Sequence, residues 1–245
     1  MLRNFLLLVL ISIVMFLKIA SAAEVYPVEY TTLPYHDYSI QNKQHRIYWT
    51  FDDHPLDITS RYLDVLRQNG IKGTFFIVGQ PLLGYYKNPA YRPAQRAYNN
   101  VRKMLQDGHA VGNHSVSHRI MCTLTSKELR WEVGETQSLL QKTIGALPSL
   151  WRPPHGKVCS ALYNVVQANK LTSIMWDVDD YRHAASTVWF YLNKRVQFGY
   201  NHTVLLFHVN VKTLEDFIAL LKKNTTQPAI PTKASGVRTK SELTL

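Results

Sequence analysis

The sequence has two cysteines, no internal repeat and no apolar run long enough to cross a bilayer. Each shortfall narrows the reading. Two cysteines allow one disulfide at most. Without a fixed-period repeat, solenoids and propellers drop out. The apolar stretch from Phe5 to Leu17 is broken only by Ser12, yet it falls short of the ~20 residues a membrane helix needs. Acidic residues are scarce as well, 17 against 28 Lys and Arg, which leaves a net charge of +11. A basic chain is drawn to anionic surfaces and polymers. No nucleic-acid-binding motif accompanies the charge, so no nucleic-acid partner is expected.

What is present suits one globular domain. Hydrophobic residues make up 46% and charged residues 18% of 245 positions, enough apolar material for a full core. The start reads separately. Arg3 precedes the apolar run, and Ala20-Ser21-Ala22 places small residues where a signal peptidase cuts. Residues 1–22 are therefore expected to be a signal peptide, and the protein to be exported to the periplasm or the extracellular medium. Lys18 interrupts the run late, and an uncleaved membrane anchor is the alternative.

Beyond residue 45, short β-like runs alternate with amphipathic helical ones. Ile47, Trp49 and Phe51 alternate along a first strand. A helix over 58–69 is stopped by Gly70, and a strand over 73–78 follows. The pattern goes on with a helix over 94–107 and a strand over 110–113. Thr125 and Glu128 form a capping box that opens a helix to about Ile144. Then come a strand over 150–152, a helix over 160–169 and a strand over 174–179. A helix capped by Ser186 runs to about Phe198. A strand over 204–208 and a helix over 213–223 complete the series. Six β-α units in a row imply an α/β fold with a parallel sheet. Periodicity leaves a doubly wound sheet and a barrel both open, and either puts the site at the C-terminal ends of the strands. Residues 23–45 read as an extended lead-in, 46–223 as the domain, and 224–245 as a disordered tail.

Polar residues collect at those strand ends. They are Asp52-Asp53, His114-Ser115-Val116-Ser117-His118, Arg152-Pro153-Pro154-His155-Gly156, Asp177-Val178-Asp179-Asp180 and His208. Taken singly, each has an ordinary explanation: a turn, a surface loop, a core histidine. Taken together they supply what a hydrolytic metal site requires. Asp53, His114 and His118 offer three ligands and leave room for water. A carboxylate and a histidine remain for general base and general acid. One carboxylate with two imidazoles suits zinc first, and also accepts cobalt, nickel or manganese.

These stretches resemble the ordered motifs of the polysaccharide deacetylases of NodB-homology type, carbohydrate esterase family four. Thr50-Phe51-Asp52-Asp53, the His114–His118 segment, Arg152 to Gly156, Trp176 to Asp179, and Leu206-Phe207-His208 each have a counterpart there. The resemblance implies a distorted, incomplete (β/α) barrel of parallel strands. It implies a general base in Asp52, held by Arg152, and one divalent metal on Asp53, His114 and His118. It implies a general acid in His208, oriented by Asp179. Pro154 and the amide near His155 would bind the substrate carbonyl, and Leu206 the acetyl methyl. The partner would be an acetylated polysaccharide or oligosaccharide, with the N-acetyl groups of N-acetylglucosamine polymers foremost and O-acetyl groups open.

Three positions depart from the pattern. His54 stands where the family has glycine, which makes it either a further polar group at the site or a solvent-facing side chain. His155 replaces an aromatic residue. The family's later tryptophan falls on His183, and an alternative alignment of this stretch pairs Asp177 with Asp180-Tyr181. Cys122 and Cys159 each follow a motif, so a disulfide between them would tie two site loops. Tyr85, Tyr86, Tyr91 and Tyr98 read as ordinary packing, with a sugar-stacking wall as the alternative. No ligand, base or acid is missing, which favours an active deacetylase over a non-catalytic glycan-binding module. The export signal disfavours a small-molecule C–N hydrolase.

Overall fold

A computed structural model describes residues 32–208, 210–226 and 234–236. The signal-peptide reading of 1–22 lies outside them. No helix among the described residues is long and apolar enough to cross a membrane.

The sheet is built around its long strand β3, which follows β1 (Thr32–Pro34) and β2 (His36–Ile40) and spans Lys43–His54. Burial alternates from His45 to Trp49 and is continuous from Trp49 to Asp52. That switch marks a strand covered on both faces. On one side β3 pairs in parallel with β4 (Thr74–Ile77), then β5 (Ala110–Asn113), β6 (Leu150–Trp151) and β7 (Thr172–Ser173). On the other it pairs with β9 (His202–Phe207), which pairs with β8 (Val178–Asp179). Among the described residues no ladder joins β7 to β8. The sheet curls without closing, which is the incomplete parallel barrel the sequence implied.

The helices are α1 (Thr59–Gln68), α2 (Gln80–Lys87), α3 (Arg92–Gln106), α4 (Ser126–Ile144), α5 (Ser160–Ala168), α6 (Ala185–Gln197) and α7 (Val211–Asn224). Most of them bury apolar faces against an aromatic layer in the middle of the sheet, while α5 and the start of α4 pack in a second cluster around Trp151. Trp49 stacks on Phe207 at 5.8 Å between centroids, and Phe51 on Phe75 at 4.7 Å. Tyr62 of α1 and Phe217 of α7 meet this layer edge-on. Such fully buried rings dominate core energetics, and they underlie the strands that end in the site. The capping box forms as expected: Thr125 accepts from the Glu128 amide, and Glu128 accepts from the Thr125 amide.

Several expectations are corrected. The described part of the lead-in, from Thr32, is not a loose segment: β2 pairs antiparallel with β3, which puts Tyr38 and Ile40 in the core. Part of the supposed tail also pairs, since β10 (Thr225–Thr226) adds to β2 and β11 (Ala234–Gly236) to β1. The rest of that tail lies outside the described residues. Of the strand expected over 174–179 only the end forms, as β8; β7 lies just before it, and between the two Arg152 takes the carbonyls of Ile174 and Met175 as acceptors. Ser186 does not cap α6; that position falls to Ala184, with no side-chain cap bond. Cys122 and Cys159 do form a disulfide, with Cα atoms 5.9 Å apart. It joins a short helical turn, Met121–Thr123, to the start of α5.

Candidate active site

The parallel strands deliver the polar residues to one end. Asp52 and Asp53 end β3, and the His114–His118 segment follows β5. Arg152 follows β6, Asp180 follows β8 and His208 follows β9.

Asp53, His114 and His118 form a compact cluster. One ligand atom from each lies within 4.8 Å of the others. His118 Nε2 is 3.1 Å, and His114 Nε2 3.7 Å, from Asp53 Oδ1. The ring of His114 is fixed from behind, because its Nδ1 donates to the Arg152 carbonyl at 2.8 Å. A carbonyl only accepts, so Nδ1 carries the proton and Nε2 turns its lone pair to the cluster. Burial, then the neighbouring His114 ring, lowers the pKa of His118 against the pull of Asp53. Both effects favour the neutral imidazole a metal needs. Two imidazole nitrogens and one carboxylate oxygen therefore fit a divalent ion. The backbone is bent to make the arrangement: Asp53, Ser115, His118 and His155 all have positive φ, between 54° and 65°. Non-glycine residues rarely adopt this region, and such residues gather at functional sites.

Asp52 is separated from Asp53 in role. It is 3% exposed, and its Oδ1 accepts from Arg152 Nη1 at 2.8 Å. Its Oδ2 faces His114 Nε2 at 3.6 Å. Arg152 is fully buried and has further partners: Nη1 also donates to Thr50 Oγ1, Nε to the Ile174 carbonyl and Nη2 to the Met175 carbonyl. Its guanidinium lies over Phe76, 4.2 Å from the ring centre. Gly112 makes room for that ring, since a Cβ there would lie 2.7 Å from Phe76.

The partner of His208 is Asp180, not Asp179. His208 Nδ1 donates to Asp180 Oδ1 at 2.8 Å, and the His208 amide donates to the same oxygen at 3.0 Å. Asp179 instead accepts from Trp176 Nε1 and the Tyr181 amide, and Asp177 accepts from the Val204 amide and pairs with Arg195. The chain leaves the sheet between Asp179 and Asp180, which turns the second carboxylate under His208. Burial pulls the His208 pKa down. The hydrogen bond to Asp180 and the negative charges of Asp180, Asp52 and Asp53 outweigh it, and the pKa is raised.

His54 faces neither solvent nor the cluster. It is fully buried between Tyr62 and Phe75, its Nδ1 bonded to Thr59 Oγ1 at 2.7 Å, and burial lowers its pKa to about 3. Pro154 is buried, while His155 is exposed beside the His118 ring. Leu206 is buried on β9, in register with Thr50 and Asp179. His183 is exposed against Tyr191, and with Tyr181, Arg182 and Asn210 it lines a cleft of about 490 Å³ beside His208. Tyr85 and Tyr98 stack on each other at 4.1 Å.

A curled, open sheet of parallel strands with an aspartate–histidine–histidine cluster at its C-terminal end defines an incomplete β/α barrel with a candidate metal centre. The chain belongs to the polysaccharide deacetylase family, whose model matches residues 39–174. It is similar to a peptidoglycan-N-acetylglucosamine deacetylase of Bacillus cereus, 30% identical over 131 residues, which are 53% of this chain and 43% of that one. A chitin deacetylase of Pestalotiopsis sp is 31% identical over 147 residues, 57% of this chain and 44% of that one. The chain thus spans less than half the length of these curated relatives. Among solved structures, a family 4 carbohydrate esterase from Streptomyces lividans superposes with a TM-score of 0.60 at 28% identity, covering 73% of this chain and 86% of that one. The peptidoglycan deacetylase PdaC of Bacillus subtilis gives 0.57 at 28% identity, covering 72% and 81%.

Proposed function

We propose that the protein is an exported, metal-dependent deacetylase that hydrolyses acetyl groups, foremost the N-acetyl groups of N-acetylglucosamine-type glycans. Peptidoglycan, exopolysaccharide and chitin oligomers are the candidate substrates. The observation that carries this reading is the division between adjacent aspartates. Asp52 is locked to buried Arg152, while Asp53 is turned toward two histidines. A family whose relatives are named for peptidoglycan and chitin deacetylation supports the choice of substrate. The charged start, apolar run and Ala20-Ser21-Ala22 support export.

The reaction adds water to the acetyl carbonyl and breaks the C–N bond, giving acetate and a free amine. A divalent ion on Asp53, His114 and His118, zinc first, would supply Lewis-acid activation of the water and the carbonyl. Asp52 takes the proton from the water through Oδ2, since Oδ1 is held by Arg152. His208, its Nδ1 proton held by Asp180, gives a proton from Nε2 to the departing nitrogen. The raised pKa of His208 suits an acid that must be protonated near neutral pH. The backbone amide near His155 would help hold the developing oxyanion, as the resemblance implies.

The test is acetate release. Mature protein is incubated with zinc, cobalt, nickel or manganese and a panel of acetylated glycans, beside Asp52→Ala and His118→Ala. Release by the wild type, lost in both variants, is the expected result. Release that survives Asp52→Ala, or none from any glycan with zinc bound, would remove the mechanism.

A further inference from the structure

We propose that Glu132 is a positioning residue for the metal site, acting through the backbone of the loop that carries His114 and His118. The inference rests on the reading of Asp53, His114 and His118 as metal ligands. Glu132 lies in the middle of α4 and is 1% exposed. A buried carboxylate is costly unless its oxygens are satisfied. All the partners of this one belong to the bridge between the two histidines. Oε2 accepts from the Val116 and Ser117 amides, each at 2.9 Å, and Oε1 accepts from the Ser117 hydroxyl.

This bridge needs outside support. Ser115 and His118 are left-handed, so neither can continue the β5 ladder. The bridge is held from two sides. The Gly79 and Gln80 amides, at the start of α2, donate to the Ser115 and Val116 carbonyls. Glu132 accepts the amides that point the other way. Ser115 Oγ closes the turn by accepting from the His118 amide at 3.0 Å. The two ligands depend on this clamp unequally. His114 is independently anchored to the Arg152 carbonyl. Among the described residues no comparable bond holds the His118 ring, and its side chain is 29% exposed. Without Glu132, the buried Val116 amide and the part-buried Ser117 amide lose their acceptor and the loop relaxes, with His118 as the ligand that moves. Glu132 touches no reacting group, so it positions rather than catalyses.

The test is zinc affinity, measured by competition with a fluorescent chelator on the metal-free full chain. Glu132→Ala is expected to weaken binding by about 10- to 100-fold, the range for residues that orient metal ligands. Glu132→Gln keeps a carbonyl for both amides and an amide group that can donate to Ser117 Oγ, so it is expected to restore affinity to within about threefold. Leu140→Ala, a buried position farther along α4, is expected to lower thermal stability and leave zinc affinity unchanged. An alanine variant that folds and binds zinc like the wild type overturns the proposal, and so does an equal loss in Leu140→Ala. If Glu132→Ala does not fold, Ser117→Ala removes one of the three donors, and unchanged affinity there overturns it too. A wild type that binds no zinc removes the ligand assignment and this proposal with it; a wild type that binds, with an alanine variant that binds equally, removes this proposal alone.

Discussion

Asp180→Asn separates the geometry from the sequence pattern, because the pattern had favoured Asp179 as the partner of His208. Asp180 holds His208 through two hydrogen bonds to one oxygen, and its side chain is 2% exposed, so solvent screens the pair little. Hydrogen bonds to a charged group are worth about 1.5–3 kcal/mol. Removing the charge should therefore lower the His208 pKa. The acid must be protonated to act, so the alkaline limb of kcat moves to lower pH. At a pH on the original limb, kcat falls about 10- to 100-fold. The stability effect has a definite sign. A histidine whose pKa is raised on folding stabilises fully below the unfolded value and loses that contribution as pH rises through the folded one. The stability gap between wild type and variant should therefore be widest near pH 5 to 6 and close at alkaline pH. Acetate release across pH, with kcat and KM resolved, and urea unfolding at both ends are the assays. Asp179→Asn, which alters only the bonds to Trp176 and Tyr181, should keep the wild-type limb. A limb that moves in Asp179→Asn and not in Asp180→Asn would refute the assignment.

Arg152→Met leaves Asp52 buried without its cation, so stability should fall by about 3–5 kcal/mol and activity should drop at least about 100-fold; a stable variant with wild-type kcat would remove the role given to Arg152. His45, His54 and His109 are buried, and burial lowers their pKa values to about 4, 3 and 3. Between the ordinary imidazole value and those values the unfolded chain binds protons that the folded chain refuses, so stability falls with pH by up to about 1.4 kcal/mol per unit for each group. Urea midpoints of metal-free protein between pH 7 and 5 should fall steeply, and a flat profile would count against neutral burial. The disulfide spans 37 residues, and Cys122→Ser with Cys159→Ser should lower stability by about 4 kcal/mol in the chain-entropy model, read as a lower urea midpoint under non-reducing conditions; an unchanged midpoint would show that other contacts already hold the two loops together.

The residues at the ends of strands were legible because the chemistry needs particular side chains and the parallel fold needs them at one end. Asp52, Asp53, His114, His118, Arg152 and His208 satisfy both conditions, and they converge. The choice between Asp179 and Asp180 was not legible. Period-two reasoning holds only while a strand continues, and here Arg152 draws off the carbonyls of Ile174 and Met175 and interrupts it. His54 was misread because two polar fates were weighed and burial was not. Its ring sits between two aromatic rings, with a threonine hydroxyl on Nδ1, which needs no charge and no solvent. The short strands from the tail depend on edge pairing with distant segments, and local pattern carries little of that; the β2–β3 hairpin is local, but its two-residue turn, Gln41-Asn42 with both φ positive, lacks the glycine that usually signals one. Helix α2 has no counterpart among the expected elements, although Pro81 in its first turn suits a helix start.

The same locality explains where the fold tolerates unfavourable features. Asp53, Ser115, His118 and His155 hold left-handed backbone, at roughly 1–3 kcal/mol each. Asp52, Arg152, Glu132 and Asp180 place charge where water is nearly absent. Neither feature would persist on an isolated loop. Three of the four are next to a buried group that fixes them, Asp53 to Asp52 and Arg152, and Ser115 and His118 to the bridge held by Glu132; His155 is exposed and bonds the His118 carbonyl. The aromatic layer beneath them supplies cohesion that the site itself lacks. Of the three proposed ligands, His114 is fixed through its ring by the Arg152 carbonyl, and His118 through its backbone by the bridge. The energetic consequence is a site whose ligand geometry should fail through its supports, Glu132 and Arg152, even when every ligand is intact.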